Sequence, residues 1–275
     1  MPLCWKSQHC PLAGTYRILV LTLALAAASH ASSIYFATGP TTISPSGSSP
    51  VQVNAQVNIT FDATAHTMTI QLLDLQINPT SIPQILSGVE MDLSNLGAGN
   101  LTGSINSFAG TQFSIDGAGA ITSVTSATTS SWLVGTANGN PTAGYDSNTL
   151  SLCEICKFGG PGPAQLVIGG PSTPTGPYST KGGLTTTPHQ PYILGSGQTY
   201  TSGPFSGKSS TPTWVLNVPN IIAATTVSDV RFFFGSAYDS TQEVIVLPEP
   251  GPVAMMAGGL MLIVIGAWKR RKPRS

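Results

Sequence analysis

Residues 51–61, VQVNAQVNITF, alternate along their whole length. Val51, Val53, Ala55, Val57, Ile59 and Phe61 are apolar, and Gln52, Asn54, Gln56, Asn58 and Thr60 are polar. Successive side chains of a strand point to opposite faces, so this stretch reads as a half-buried strand of a sandwich or antiparallel sheet. Residues 62–65 (Asp-Ala-Thr-Ala) can turn the chain, and residues 66–77 return it as the second arm of a hairpin. Met68, Ile70, Leu72 and Asp74 fall on one face of that arm, whereas Leu73, Leu75 and Ile77 take the opposite phase. A bulge or a change of partner near Leu72 and Leu73 accounts for the shift.

The remainder of the chain points to the same class. Gly and Pro together supply 30 and 22 of the 275 residues, and they interrupt helices, while plentiful Thr, Ser and Val suit strands and turns. Residues 32–50 form a lead-in with one strand at 34–37. Short strands are expected at 88–93, 103–115, 121–124 and 132–135, separated by Gly, Asn and Ser turns. Residues 84–96 could alternatively form a short helix through Ile85, Val89 and Leu93. Gly88 lies in the middle, however, and Val89, Met91 and Leu93 alternate, which favours a strand. Residues 138–213, with GGPGP and GGPSTPTGP, read as a loop-rich insertion around isolated strands such as 164–168. Strand patterns resume at 214–218, 221–226, 229–235 and 242–247. Phe232 and Phe234 share a face and Phe233 takes the other, so that strand should be covered on both sides; Trp214 should be core. The expected fold is all-β: an antiparallel β-sandwich ectodomain over residues 32–247 with Gly/Pro-rich loops, followed by one C-terminal transmembrane helix.

Residues 1–31 read as a secretory signal peptide. Lys6 and Arg17 precede an eleven-residue apolar core, ILVLTLALAAA, and Ser29-His30-Ala31 places small residues at the −3 and −1 positions. Cleavage is expected between Ala31 and Ser32. A retained N-terminal anchor is the alternative, and the shortness of the core argues against it. Between residues 32 and 247 there are four basic and ten acidic side chains, a net charge of −6. No basic patch interleaved with aromatics occurs there, which argues against a nucleic-acid partner.

Residues 247–275, LPEPGPVAMMAGGLMLIVIGAWKRRKPRS, carry three signals in order. A rigid Pro248-Glu249-Pro250 comes first, then an uncharged apolar run over 253–268, then Lys269, Arg270, Arg271 and Lys272. Sixteen to eighteen helical residues span roughly 24–27 Å, slightly short of the hydrocarbon core yet sufficient with snorkelling flanks. Trp268 stands where an interfacial aromatic belongs, and the basic cluster reads as a cytoplasmic stop. A buried core helix is the competing reading, disfavoured by the adjoining basic residues. The tail, 248–275, resembles the PEP-CTERM sorting signal of Gram-negative bacteria: Pro248, Glu249 and Pro250 match its namesake triplet, and Lys269 to Lys272 its basic end. The order of the body elements is similar to that of other ectodomains bearing this tail. The resemblance implies recognition near the triplet by an exosortase, a membrane-embedded cysteine protease-transpeptidase, and association with extracellular polysaccharide.

Catalytic chemistry finds little material in the body. Cys153 and Cys156 are the only cysteines after residue 31. A local disulfide in an oxidising compartment is the expectation. Reduced or intermolecular cysteines, a metal site and redox catalysis follow in that order: Glu154 opposes thiolate formation, and the following KFGGPGP cannot extend a helix. His66 and His189 have no local carboxylate partner, and no G-x-S-x-G elbow occurs. Glu90 and Asp92 share one side of a strand, which suits a calcium ligand pair or a solvated face. Asp116-Gly117 and Asp146 with Asn148 are further loop oxygen donors, but none matches an EF-hand loop. Tyr178, Tyr192, Tyr200 and Phe205 sit in Gly/Pro/Thr loops, where they could stack on sugar rings.

The expected protein is therefore no enzyme, with no catalytic residue, cofactor or metal. It is expected to be an exported surface or extracellular-matrix protein, first anchored in the inner membrane with its body facing the periplasm. After processing it would lie at the cell surface or outside the cell. Its expected partners are signal peptidase, an exosortase-like enzyme, the inner membrane and extracellular polysaccharide. An adhesin or carbohydrate-binding module on the same scaffold, calcium-dependent or not, is the alternative.

Overall fold

The computed structural model describes residues 32–45, 49–76, 82–115, 121–136, 147–154, 167–168, 192–235 and 243–246. Regular structure there is strand, apart from one 3-10 turn at Ile82–Gln84. Among the described residues no helix is long and apolar enough to cross a membrane. The expected span at 253–268 and the signal peptide at 1–31 lie outside them.

The alternating stretch forms two strands rather than one. β2 (Thr41–Ile43) pairs with β3 (Val51–Val53), and β4 (Ala55–Asp62) pairs with β5 (Thr67–Asp74). The ladder changes hands at Asn54, whose carbonyl accepts the Leu75 amide at 2.8 Å, while the Ala55 amide donates to Thr38 Oγ1 at 3.0 Å. Facing is as the alternation requires: Val53, Ala55, Val57, Ile59 and Phe61 are buried, and their polar neighbours are at least partly exposed. Asp62 closes the hairpin by accepting the Thr64 and Ala65 amides at 2.9 and 2.8 Å on Oδ1, an Asx-type turn.

The phase shift at Leu72 and Leu73 is a change of partner, not a bulge. β5 keeps an unbroken register with β4 from Thr67↔Asp62 to Asp74↔Ala55. On its other edge β13 (Thr213–Asn217) pairs only as far as Gln71, after which the Asp74 amide donates to the Gly195 carbonyl at 2.7 Å. Leu73 is buried because the chain around Gly197 crosses its outer side.

β1 (Ser32–Ala37), β4, β5, β13 and β7 (Ser104–Ile115) lie side by side in that order. A second run orders β9 (Leu133–Thr136), β10 (Thr149–Cys153), β6 (Leu86–Ser94), β14 (Thr226–Phe234) and β15 (Glu243–Val246), each antiparallel to the next. β7 joins the two. Its first half pairs with β13, and its second half pairs with β8 (Ile121–Ala127) and with β12 (Tyr192–Leu194). β12 pairs parallel to β11 (Val167–Ile168), which touches β6 through Val167↔Leu86.

Val57, Ile70, Trp214 and Leu216 of the first run share one core with Met91, Leu152, Val230 and Phe232 of the second. Burial of such side chains is worth about 1.5–3 kcal/mol each before chain entropy is set against it. Phe233, on the opposite face of β14, is also buried, so that strand is covered on both sides. Of the strand expected at 221–226, residues 221–225 are not strand. Pro219 lacks an amide, and Asn220, Ile221 and Ile222 turn the chain through Ile221 N–H to Val218 O and Thr225 N–H to Ile222 O; the strand starts at Thr226. Within the expected loop region, β10 and β12 are regular strands. Residues 88–93 are indeed strand rather than helix.

Candidate functional site

Most residues singled out for processing fall beyond view. Pro248, Glu249, Pro250, Lys269, Arg270, Arg271 and Lys272 lie outside the described residues, as does Ala31; Ser32 opens β1. Cys153 ends β10, is almost fully buried and is disulfide-bonded; Cys156 lies outside the described residues. Cys153 stands opposite Gly88 in the β10/β6 ladder, where an added Cβ would come within 2.7 Å of Cys153 Cβ. Only glycine fits there.

The expected ligand donors are engaged locally. Glu90 is buried, and its carboxylate receives Arg231 Nη1 at 3.1 Å across the β6/β14 pair. Asp92 accepts Thr149 Oγ1 at 2.7 Å from β10. The two carboxylates thus face neighbours on opposite flanking strands. Asn148 is exposed, its carbonyl accepting the Leu93 amide, and Asp116, Gly117 and Asp146 lie outside the described residues. Among the described residues no three His, Cys, Asp or Glu side chains group as metal ligands. His66 sits in the β4–β5 turn at φ 53°, its Nδ1 3.0 Å from the Ile221 carbonyl; His189 lies outside.

The aromatics expected to stack on sugars have another task. Phe113, Leu194, Phe205 and Ile85 form a second buried cluster, with Tyr192 and Tyr200 packed against it. Phe113 meets Phe205 edge-on at 5.1 Å and Tyr192 at 5.7 Å, and Tyr200 meets Phe205 at 5.5 Å. The Tyr200 hydroxyl is 2.8 Å from Ser196 Oγ. Phe113 and Phe205 are core, and Tyr192 and Tyr200 pack against them while staying partly exposed; Tyr178 lies outside the described residues.

Asp74 is fully buried, a feature the inward phase of β5 foreshadowed without giving it a use. It accepts the Gln76 amide at 2.9 Å and the Leu86 amide at 3.4 Å, tying the end of β5 to the start of β6. Burial pushes its carboxyl well above the usual carboxylate range, because desolvation outweighs those two donors.

A cleft of about 500 Å³ opens where β7 and β8 part company. Their ladder stops at Gly110↔Ala127; beyond it Ser104, Asn106 and Ser107 of β7 face Thr128, Thr129 and Ser130 across the gap. Ile105, Leu133 and Val134 add apolar surface, and Trp132 and Phe108 close the floor. None of the lining side chains is charged. Trp132 packs on Trp214 at 4.8 Å, and Trp214 on Phe108 at 5.0 Å. This site was not expected from sequence, since its walls lie some twenty residues apart and converge only through the chain path. The uncharged Ser/Thr run of residues 123–131 ending at Trp132 was its one visible trace. Comparison with known protein families, with curated proteins and with solved structures finds no match.

Proposed function

We propose that this is a non-catalytic exported protein of the cell surface or extracellular matrix, anchored and then processed through its C-terminal signal. Its body, in this reading, is an antiparallel β-sandwich ectodomain, supported by the larger of its two buried clusters, to which both runs of strands contribute. The observation that carries the proposal is β15. This strand pairs with β14 through Val230↔Val246 and ends at Val246, two residues before Pro248. A processing enzyme would then meet the Pro-Glu-Pro within a few residues of a folded strand, and the membrane run would follow it. The disulfide at Cys153 suits an oxidising compartment. The net charge of −6 over residues 32–247 suits a protein kept soluble outside the membrane.

Topology reporters test this directly. Alkaline phosphatase, which folds only once exported, should be active when joined after residue 247. It should be inactive when joined after residue 275, where the basic cluster holds it in the cytoplasm. Activity at neither junction would overturn the export reading.

A further inference from the structure

We propose that the cleft between β7 and residues 128–134 is a binding site for a neutral oligosaccharide. The inference stands on the folded body and does not depend on how the tail is handled.

Three observations support it. The first is wall chemistry. Ser104, Asn106 and Ser107 on one side and Thr128, Thr129 and Ser130 on the other offer hydroxyls and an amide, groups that both donate and accept. A sugar presents the same dual chemistry around its ring. Anionic glycans or phosphates would want Arg or Lys, and a cation would want carboxylates; the lining holds neither. Leu133, 39% exposed, and the half-buried Ile105 and Val134 supply apolar surface for the C–H faces of a sugar. At about 500 Å³ the volume falls within the roughly 300–1,000 Å³ typical of small-ligand sites.

The second is rigidity. β7 is held by its ladder with β13. The opposite wall is pinned at successive points: Gln112 Nε2 donates to the Thr129 carbonyl at 3.1 Å and Trp214 Nε1 to Ser130 Oγ at 3.0 Å. Ser131 Oγ then donates to the Glu154 carboxylate at 2.8 Å. Both walls are formed before any ligand arrives, which lowers the ordering cost of binding.

The third is a local irregularity in β7. Ser107 pairs with Val215 and Ile105 with Leu216, so Asn106 is the extra residue of a bulge. A bulge re-aims a side chain, and this one sits on the cleft wall. An added peptide strand fits less well: no strand pairs with Ser104–Ala109 on this side among the described residues, but the pinned Thr128–Ser130 wall stands across that edge.

Isothermal calorimetry on the full chain tests this, in a detergent without a sugar headgroup. The probes are maltohexaose, cellohexaose, laminarihexaose and chitohexaose, with oligogalacturonate and a Ser/Thr-rich decapeptide as competitors of other classes. Saturable binding of at least one neutral hexamer is expected. Asn106→Ala should weaken it about tenfold, the worth of one or two hydrogen bonds. Leu133→Asp should abolish it, and Ile222→Glu, at an exposed position away from the cleft, should leave it unchanged. Both cleft positions are exposed, so thermal melts should match that of the unaltered protein. The proposal fails if no neutral hexamer binds. It fails equally if the acidic oligomer or the peptide binds instead, or if binding survives both cleft variants.

Discussion

Asp74 is a carboxylic acid placed where water does not reach, and its two amide donors do not offset the loss of hydration. Its folded-state pKa lies well above the ordinary 3.8. Stability tied to the neutral acid is therefore fully present below the unfolded-state value of 3.8 and is lost as pH rises from there through the folded-state pKa. Asp74→Asn keeps a carbonyl oxygen for the Gln76 amide and cannot ionise. Relative to this variant, the unaltered protein should lose Tm as pH rises above the ordinary carboxylate value of 3.8, as read by scanning calorimetry. Parallel pH profiles would show that Asp74 carries no such linkage. Gly88 is the complementary case of shape rather than charge. Gly88→Ala brings a Cβ against Cys153 across the ladder and should cost about 1–3 kcal/mol in denaturant melts, as overpacking does. Neither effect is visible in the sequence. Asp74 was marked only by its inward phase, and Gly88 owes its constraint to a residue some sixty positions away.

Among the strands, legibility followed solvent. β4 has one dry and one wet face, so VNITF announced itself; β14 was readable because three successive phenylalanines demand cover on both sides. β10 is buried at every position, Thr149 through Cys153, and its polar-apolar alternation, TLSLC, is only five residues long in a stretch whose Gly, Pro and Asn speak for loop. β12 is hidden for a related reason: the Gly and Pro around it describe the connections, whereas Tyr192 and Phe205 pack against Phe113 in the second half of β7. Residues 221–226 failed in the other sense, an apolar run turned by Pro219 and Asn220. β10 also supports a prediction. Its Cys153 disulfide lies beside Glu154, which holds Ser131 and so the cleft wall. Reduction should lower stability by about 2 kcal/mol and leave the β4–β5 hairpin protected. Hydrogen exchange resolved by peptide would show the loss at residues 128–134 and 149–154; a uniform loss would contradict this local role.

At the scale of the whole molecule, the tail and the cleft, the two regions proposed to carry function, are not equally readable. The tail is legible because its physics is linear: a rigid triplet, an apolar run and a basic cluster need no fold to be recognised. The cleft is illegible because it exists only after β7 and residues 128–134 are brought together. The first of these decides what kind of protein this is. Intact mass and membrane fractionation should therefore be measured on the protein from its own host, beside a variant with Pro248, Glu249 and Pro250 replaced by alanine. The expected result is that the unaltered protein has lost residues 253–268 and left the membrane fraction while the variant retains both. If both forms keep residues 253–268 and remain with the membrane, the tail is a plain anchor and sorting by cleavage is contradicted.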